Sequence, residues 1–144
     1  MTKSVGLHDE TLSILIGGQA GQGVTRSGSL MGKTLTILGF NVFGIIDYPS
    51  LIRGGHNFYV VRASAQKIHS HAEHVDLVIA LNKETILLHQ DEIAPRGGVI
   101  CDVNVEFKPE ELTREDINIY PIPLTAIVEE LEGPSIMRNT VALG

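Results

Sequence analysis

The sequence predicts an α/β fold of three layers, helices on both sides of a mixed but mostly parallel, Rossmann-like central sheet. Three observations carry the prediction. Residues 11–16 alternate as a short buried strand and run into four glycines in seven residues (Gly17, Gly18, Gly21, Gly23), after which a helical pattern begins. Asp76-Leu77-Val78-Ile79-Ala80-Leu81 is a short apolar run, as expected of a central strand covered on both faces. No helix-length stretch separates the strand expected at 41–46 from that at 57–64, so those two are not joined by a standard crossover and the sheet cannot be all parallel.

Residues 1–10 are polar and read as a frayed start. In the first helix Val24, Gly28, Met31, Leu35 and Leu38 fall on one face, while Thr25, Ser29, Lys33 and Thr36 fall on the other. Gly28 and Gly32 each cost about 1 kcal/mol against alanine inside a helix, and close packing on the sheet is the expected return. Gly39 stops that helix. Asp47-Tyr48-Pro49-Ser50 breaks the second strand, with Pro49 holding Tyr48 extended. Asn82 caps a helix that Pro95 and Gly97-Gly98 close, and a strand follows at 98–103. The span 104–116 is acidic, with one helical turn at 109–111. A last strand covers 117–122, and Pro123 opens a helix ending at Gly133. The tail 134–144 ends on Val141-Ala142-Leu143-Gly144 without cap or partner, which reads as a chain continued by a further segment or completed by another subunit.

A chain of 144 residues is expected to form one domain, 1–144, able to bury roughly 68–70% of its unfolded surface. No apolar run reaches the roughly 18 residues of a membrane span, and no charged-then-apolar leader opens the chain, so no membrane partner and a cytoplasmic location are expected. The net charge of −6 argues against nucleic acid. It is unevenly placed: residues 1–68 hold six Lys/Arg against three Asp/Glu, and residues 69–144 hold five against fourteen. The single cysteine, Cys101, excludes an internal disulfide and a cysteine-held iron–sulfur cluster within this chain alone, and its position at a strand end reads as a buried inert thiol.

A strand that passes through glycines into a helix presents backbone N–H groups at the helix start, a setting that favours phosphate or another anion. Neither standard nucleotide motif is present. The window Gly18–Gly23 carries Ala20 where the dinucleotide fingerprint needs its second glycine, and Val24 stands where the phosphate-binding lysine of a P-loop belongs. A second glycine segment, Arg53-Gly54-Gly55, supplies a cation and room for close backbone approach. The candidate binding residues are therefore Gly18, Gln19, Gly21, Gln22, Gly23, Arg53, Gly54 and Gly55. His69, His71 and His74, with Glu73, crowd the approach to the Asp76 strand, but their spacings cannot all face one point in a regular element, and no metal site is expected there. No paired acid–base or nucleophilic constellation appears, so no catalytic residue is assigned.

The order Gly17-Gly18-Gln19-Ala20-Gly21-Gln22-Gly23-Val24, Gly39, Tyr48-Pro49-Ser50 and Arg53-Gly54-Gly55 resembles the γ domain of 2-oxoacid:ferredoxin oxidoreductases, most closely the γ portion fused ahead of the α portion. The likeness continues through Arg62-Ala63-Ser64, Ile68, the Asp76 strand and Asn139–Gly144. The resemblance implies a non-catalytic component of an enzyme that oxidatively decarboxylates a 2-oxoacid, pyruvate or 2-oxoglutarate among them, to an acyl-CoA while reducing ferredoxin. It implies that this chain helps form the CoA side of the active site. Thiamine diphosphate, Mg2+ and the iron–sulfur clusters would lie on the α and β partner components, with no cofactor held by this chain alone. Two other readings stand beside it. One is a nucleotide-binding regulatory or redox domain, with Asp47, 24 residues after Gly23, as the ribose-binding acid. The other is an assembly module whose glycines serve packing.

Overall fold

The computed structural model describes residues 11–47 and 55–144. Its strands are β1 (Thr11–Gln19), β2 (Asn41–Asp47), β3 (His56–Ser64), β4 (Val75–Ala80), β5 (Ile93–Asp102) and β6 (Asn118–Ile122). Its helices are α1 (Val24–Ile37), α2 (Lys83–His89), α3 (Leu124–Glu130) and α4 (Arg138–Leu143). The six strands form one sheet in the order β2-β3-β1-β4-β5-β6. β3 runs antiparallel to both of its neighbours, and the β1–β4, β4–β5 and β5–β6 pairs are parallel. The mixed α/β sheet is thus as the sequence predicts, and the missing crossover between β2 and β3 is its cause: β3 folds back between the two strands that α1 joins.

The period of two along each strand sorts the core into two faces. Leu15, Val60, Val78, Val99 and Cys101 point to one, where Ile86 of α2 packs together with Phe107, Leu112 and Ile117 from the connection before β6. Ile14, Ile16 and Ile79 point to the other, under Val24 and Met31 of α1, Leu124 of α3 and Ala142 of α4. Cys101 is 1% exposed, and burial, with the neighbouring Asp102 charge, pushes its thiol up. The native chain is therefore expected to resist an aromatic disulfide reagent until denaturant is added. Release of a full equivalent of chromophore from the folded chain would count against that.

Several boundaries differ from the sequence reading, each for a packing reason. β1 does not stop at residue 16. Gly17, Gly18 and Gln19 pair with Phe58, Asn57 and His56 of β3, so only Ala20–Gly23 remain as loop. Gly28 lies under the Tyr59 ring as close packing requires, but a Cβ at Gly32 would find only Val42 Cγ1 at 3.6 Å, an ordinary contact. Leu38, expected on the buried face, is 66% exposed where α1 ends. Asn82 does cap α2, its Oδ1 accepting from the Thr85 amide at 3.0 Å, but the helix ends at His89 and β5 begins at Ile93. Pro95 then sits in an irregular stretch of β5, where Val75 pairs Ile93 but Leu77 already pairs Gly98. The tail, read from the sequence only as an apolar ending, also takes regular structure. Residues 135–137 form a 3-10 turn and α4 follows, packed on α1 and α3 with Ala142 in the core. Val141 and Leu143 are partly buried against the same cluster.

Candidate functional site

The carboxyl ends of β1 and β4 point the same way, but α1 leaves β1 toward one face of the sheet and α2 leaves β4 toward the other. A crevice opens at such a switch of connection, and open α/β sheets bind ligands there. Here it is a small cleft of about 80 Å³ lined by Gly21, Gln22, Leu81, Ser135, Arg138 and Asn139.

The cleft is built from the glycine loop upward. Gly21 (φ 92°) and Gly23 (φ 77°) both take the left-handed conformation, which glycine adopts without steric cost. Gly23 is the residue before α1 and provides no side-chain cap. No acidic residue lies in the first turn of α1 to compete with an anion there. Gln22 folds back: its Oε1 accepts from the Gln19 amide at 2.6 Å, and its Nε2 reaches toward the Leu81 carbonyl at 3.5 Å. The loop is roofed by α4 and the turn before it. Asn139, 6% exposed, donates from Nδ2 to the Gln22 carbonyl at 2.9 Å, and a Cβ at Gly23 would strike that same amide. Gly23 is thus required twice, for its backbone angle and for the seat of Asn139.

Arg138 brings the positive charge. Its Nε donates to the Ser135 carbonyl at 3.1 Å, which holds it half-buried at the cleft wall. An adjoining groove of about 470 Å³, sharing Asn139, adds Arg26 and Lys33 from α1. Two cationic walls meeting at a backbone loop suit an extended anionic ligand.

The sequence-predicted residues separate accordingly. Gly21 and Gln22 line the cleft, and Gly23 abuts it. Gly18 is buried inside β1 beneath Leu81 and Gln22, and Gln19 is the last residue of that strand. Gly55 meets the loop directly, its carbonyl accepting from the Ala20 amide at 3.1 Å. Of the second glycine segment, Gly55 thus touches the loop. Arg53 and Gly54 lie outside the described residues, as do Tyr48-Pro49-Ser50. Arg138 and Asn139 were not singled out from the sequence as binding residues. They stand about 115 positions from the loop they complete (|i−j| is 117 for the Asn139–Gln22 bond), and no local spacing announces them. His69, His71 and His74 stand exposed in the connection before β4, and no group of three or more His, Cys, Asp or Glu among the described residues could hold a metal ion.

Fold and cleft together define a mixed α/β domain with a switch-point crevice that lacks both standard phosphate motifs and is closed on one side by α4. The family model described as pyruvate ferredoxin/flavodoxin oxidoreductase matches residues 13–144, and the chain belongs to that family. It is 33% identical over 91 residues to 2-oxoacid:ferredoxin oxidoreductase 2, subunit alpha, of Aeropyrum pernix, a match covering 63% of this chain and 14% of that protein. It is 28% identical over 136 residues to the 2-oxoglutarate synthase subunit KorC of Methanothermobacter thermautotrophicus, covering 91% of this chain and 72% of that one. Among solved structures, it superposes with a TM-score of 0.82 and 29% identity on 2-oxoglutarate:ferredoxin oxidoreductase from Magnetococcus marinus with 2-oxoglutarate, coenzyme A and succinyl-CoA bound. That match covers 93% of this chain and 23% of the other, so the chain spans about a quarter of that protein and less still of the Aeropyrum one. The gamma subunit of keto/oxoacid ferredoxin oxidoreductase from Geobacter sulfurreducens shares the fold, with a TM-score of 0.76 at 20% identity. Among the described residues no helix is long and apolar enough to cross a membrane.

Proposed function

We propose that the chain is one γ-type domain of a 2-oxoacid:ferredoxin oxidoreductase, acting in the cytoplasm with α and β components and, through them, with ferredoxin. It carries no catalytic residue of its own. Its part is to form the CoA side of the active site during oxidative decarboxylation of a 2-oxoacid to an acyl-CoA. The observation that carries this reading is the switch-point cleft, where the Gly21–Gly23 backbone faces Arg138 and leads into the Arg26–Lys33 groove. CoA is long and carries several phosphates, and this surface offers it backbone donors and three separate cations.

The donor set also indicates what this chain would not hold. Its one cysteine is buried in the core with a raised thiol pKa, unfit to ligate an iron–sulfur cluster. Clusters, thiamine diphosphate and Mg2+ belong on the partner components in this reading.

The test uses the assembled enzyme. Arg138→Ala is expected to raise the KM for CoA about tenfold or more, the cost of one charge-assisted phosphate contact, while the CoA-independent decarboxylation step in single turnover stays near its usual rate. Arg138 is the better probe than Gly23, because any side chain at Gly23 also unseats Asn139. Normal assembly with unchanged CoA dependence would sink the proposal and favour glycines that serve packing alone.

A further inference from the structure

On the α2 side of the sheet, directly behind the glycine loop, lies a chain of titratable groups that the cleft does not use. His56 opens β3, and its Nε2 stands 2.8 Å from Nε2 of His89 at the end of α2. Nδ1 of His89 stands 3.0 Å from Oε1 of Glu92. Phe58 meets the His89 ring edge-on, centroids 4.7 Å apart, and His89 is 4% exposed. Two imidazole nitrogens at hydrogen-bond distance share one hydrogen between them. An ionised carboxylate only accepts, so Glu92 fixes the hydrogen of His89 on Nδ1, and Nε2 of neutral His89 is then an acceptor. His56 must donate from Nε2, which leaves its own Nδ1 bare. That atom is buried and has no hydrogen-bond partner among the described residues.

We propose that His56, His89 and Glu92 form a proton-sensitive latch beneath the joint of the two glycine segments, closed while His56 Nδ1 is bare and loosened when that atom takes a proton. The joint rests on this ring. Gly17 lacks a side chain where one would press on Thr85 and lie 3.2 Å from His56 Cε1. Gln19 pairs with His56 across the sheet, and Gly55, the residue before His56, accepts the Ala20 amide. A proton on Nδ1 creates a buried, charged N–H without an acceptor, a state that favours opening. The charged and titratable groups facing His56 are Asp47 of β2, Glu84 and His89 of α2, and Glu92 of the following turn. Burial is the largest cause that holds the His56 pKa below its ordinary value, against the raising effect of the three carboxylates. Stability contributed by the neutral ring is therefore full above the unfolded-state imidazole value of about 6.5, declines below it and is lost as pH falls through the lower folded-state value.

The latch is a property of the chain itself and is independent of the ligand that the cleft takes. Ring-nitrogen NMR on the histidine-labelled chain at about pH 7.5 should show His89 protonated at Nδ1 and His56 at Nε2. Amide exchange read at about pH 5.5, after correction for intrinsic rates, should show Ala20 losing protection while Val78 in the central strand keeps it. The loss at that pH should approach but not exceed about tenfold, the factor that one pH unit below the ordinary imidazole value allows. His56→Gln, which keeps a donor near His89 but does not titrate, should keep Ala20 protected at both pH values. The opposite His56 tautomer, a pH-independent Ala20, a loss shared equally by Val78, or a pH response surviving in His56→Gln would each overturn the latch.

Discussion

Gly28→Val is expected to destabilise the chain by about 3 kcal/mol, at the upper end of what overpacking a core site costs, and to lower Tm by roughly 10 °C. Helix propensity pulls the other way by only a few tenths of a kcal/mol, so packing decides the sign. A Cβ at Gly28 falls on the Tyr59 ring, 2.5 and 2.7 Å from its two Cδ atoms. Gly44 of β2 lies close to the other end of the ring, where a Cβ would come within 2.8 Å of the hydroxyl. One tyrosine of β3 is thus seated against glycines on the helix above and the strand beside it. Thermal unfolding of Gly28→Val, Tyr59→Ala and the double variant closes a cycle. The double variant should be markedly more stable than the sum of the single losses predicts. A Gly28→Val chain as stable as the parent would refute the packing argument.

Asp102→Ala carries the other large effect, about 3 kcal/mol. The carboxylate sits at the end of β5, 5% exposed, and accepts from the Thr125 amide and hydroxyl, both at 2.6 Å, and from the Asn104 amide at 2.9 Å. It fastens the sheet to the start of α3, and its removal deprives the Thr125 and Asn104 amides of their charged acceptor. Burial alone would raise the Asp102 carboxyl, but the Thr125 hydroxyl, the two amides and nearby Arg138 outweigh it and hold it below its ordinary value. A lowered folded-state pKa stabilises above the unfolded-state value of about 3.9 and ceases to as pH falls through the folded one. The stability gap between parent and Asp102→Ala, measured by denaturant unfolding, should therefore be full at neutral pH and close in acid. A gap constant down to about pH 2 would show that the carboxylate's charge contributes nothing.

Local chemistry and its consequences were legible in the sequence. The alternation in β1, the apolar run of β4, the Asn82 cap and the absence of a helix between β2 and β3 each act within a few residues, and they give the mixed α/β sheet. The glycine loop ahead of α1 was legible because backbone angle is a property of glycine itself, and Gly21 and Gly23 do take the left-handed conformation. Gly28 was legible as a close approach, though not which side chain approached it. Composition also separated a basic first half from an acidic second half.

Tertiary structure decided the rest. Gly17 and Gly18 became strand because β3 offered them partners, and α2 stopped at His89 where β5 had to begin beside β4. The tail became a helix because Ala142 found the core that β1 and α1 had already built. Seated there, it brought Asn139 to the Gln22 carbonyl and Arg138 to the cleft. The facing of His56 on His89 likewise joins β3 to α2 across 33 positions. Periodicity records which face of its own element a residue takes. Which residue of another element meets it there depends on how sheet and helices close, and no stretch of the chain carries that by itself.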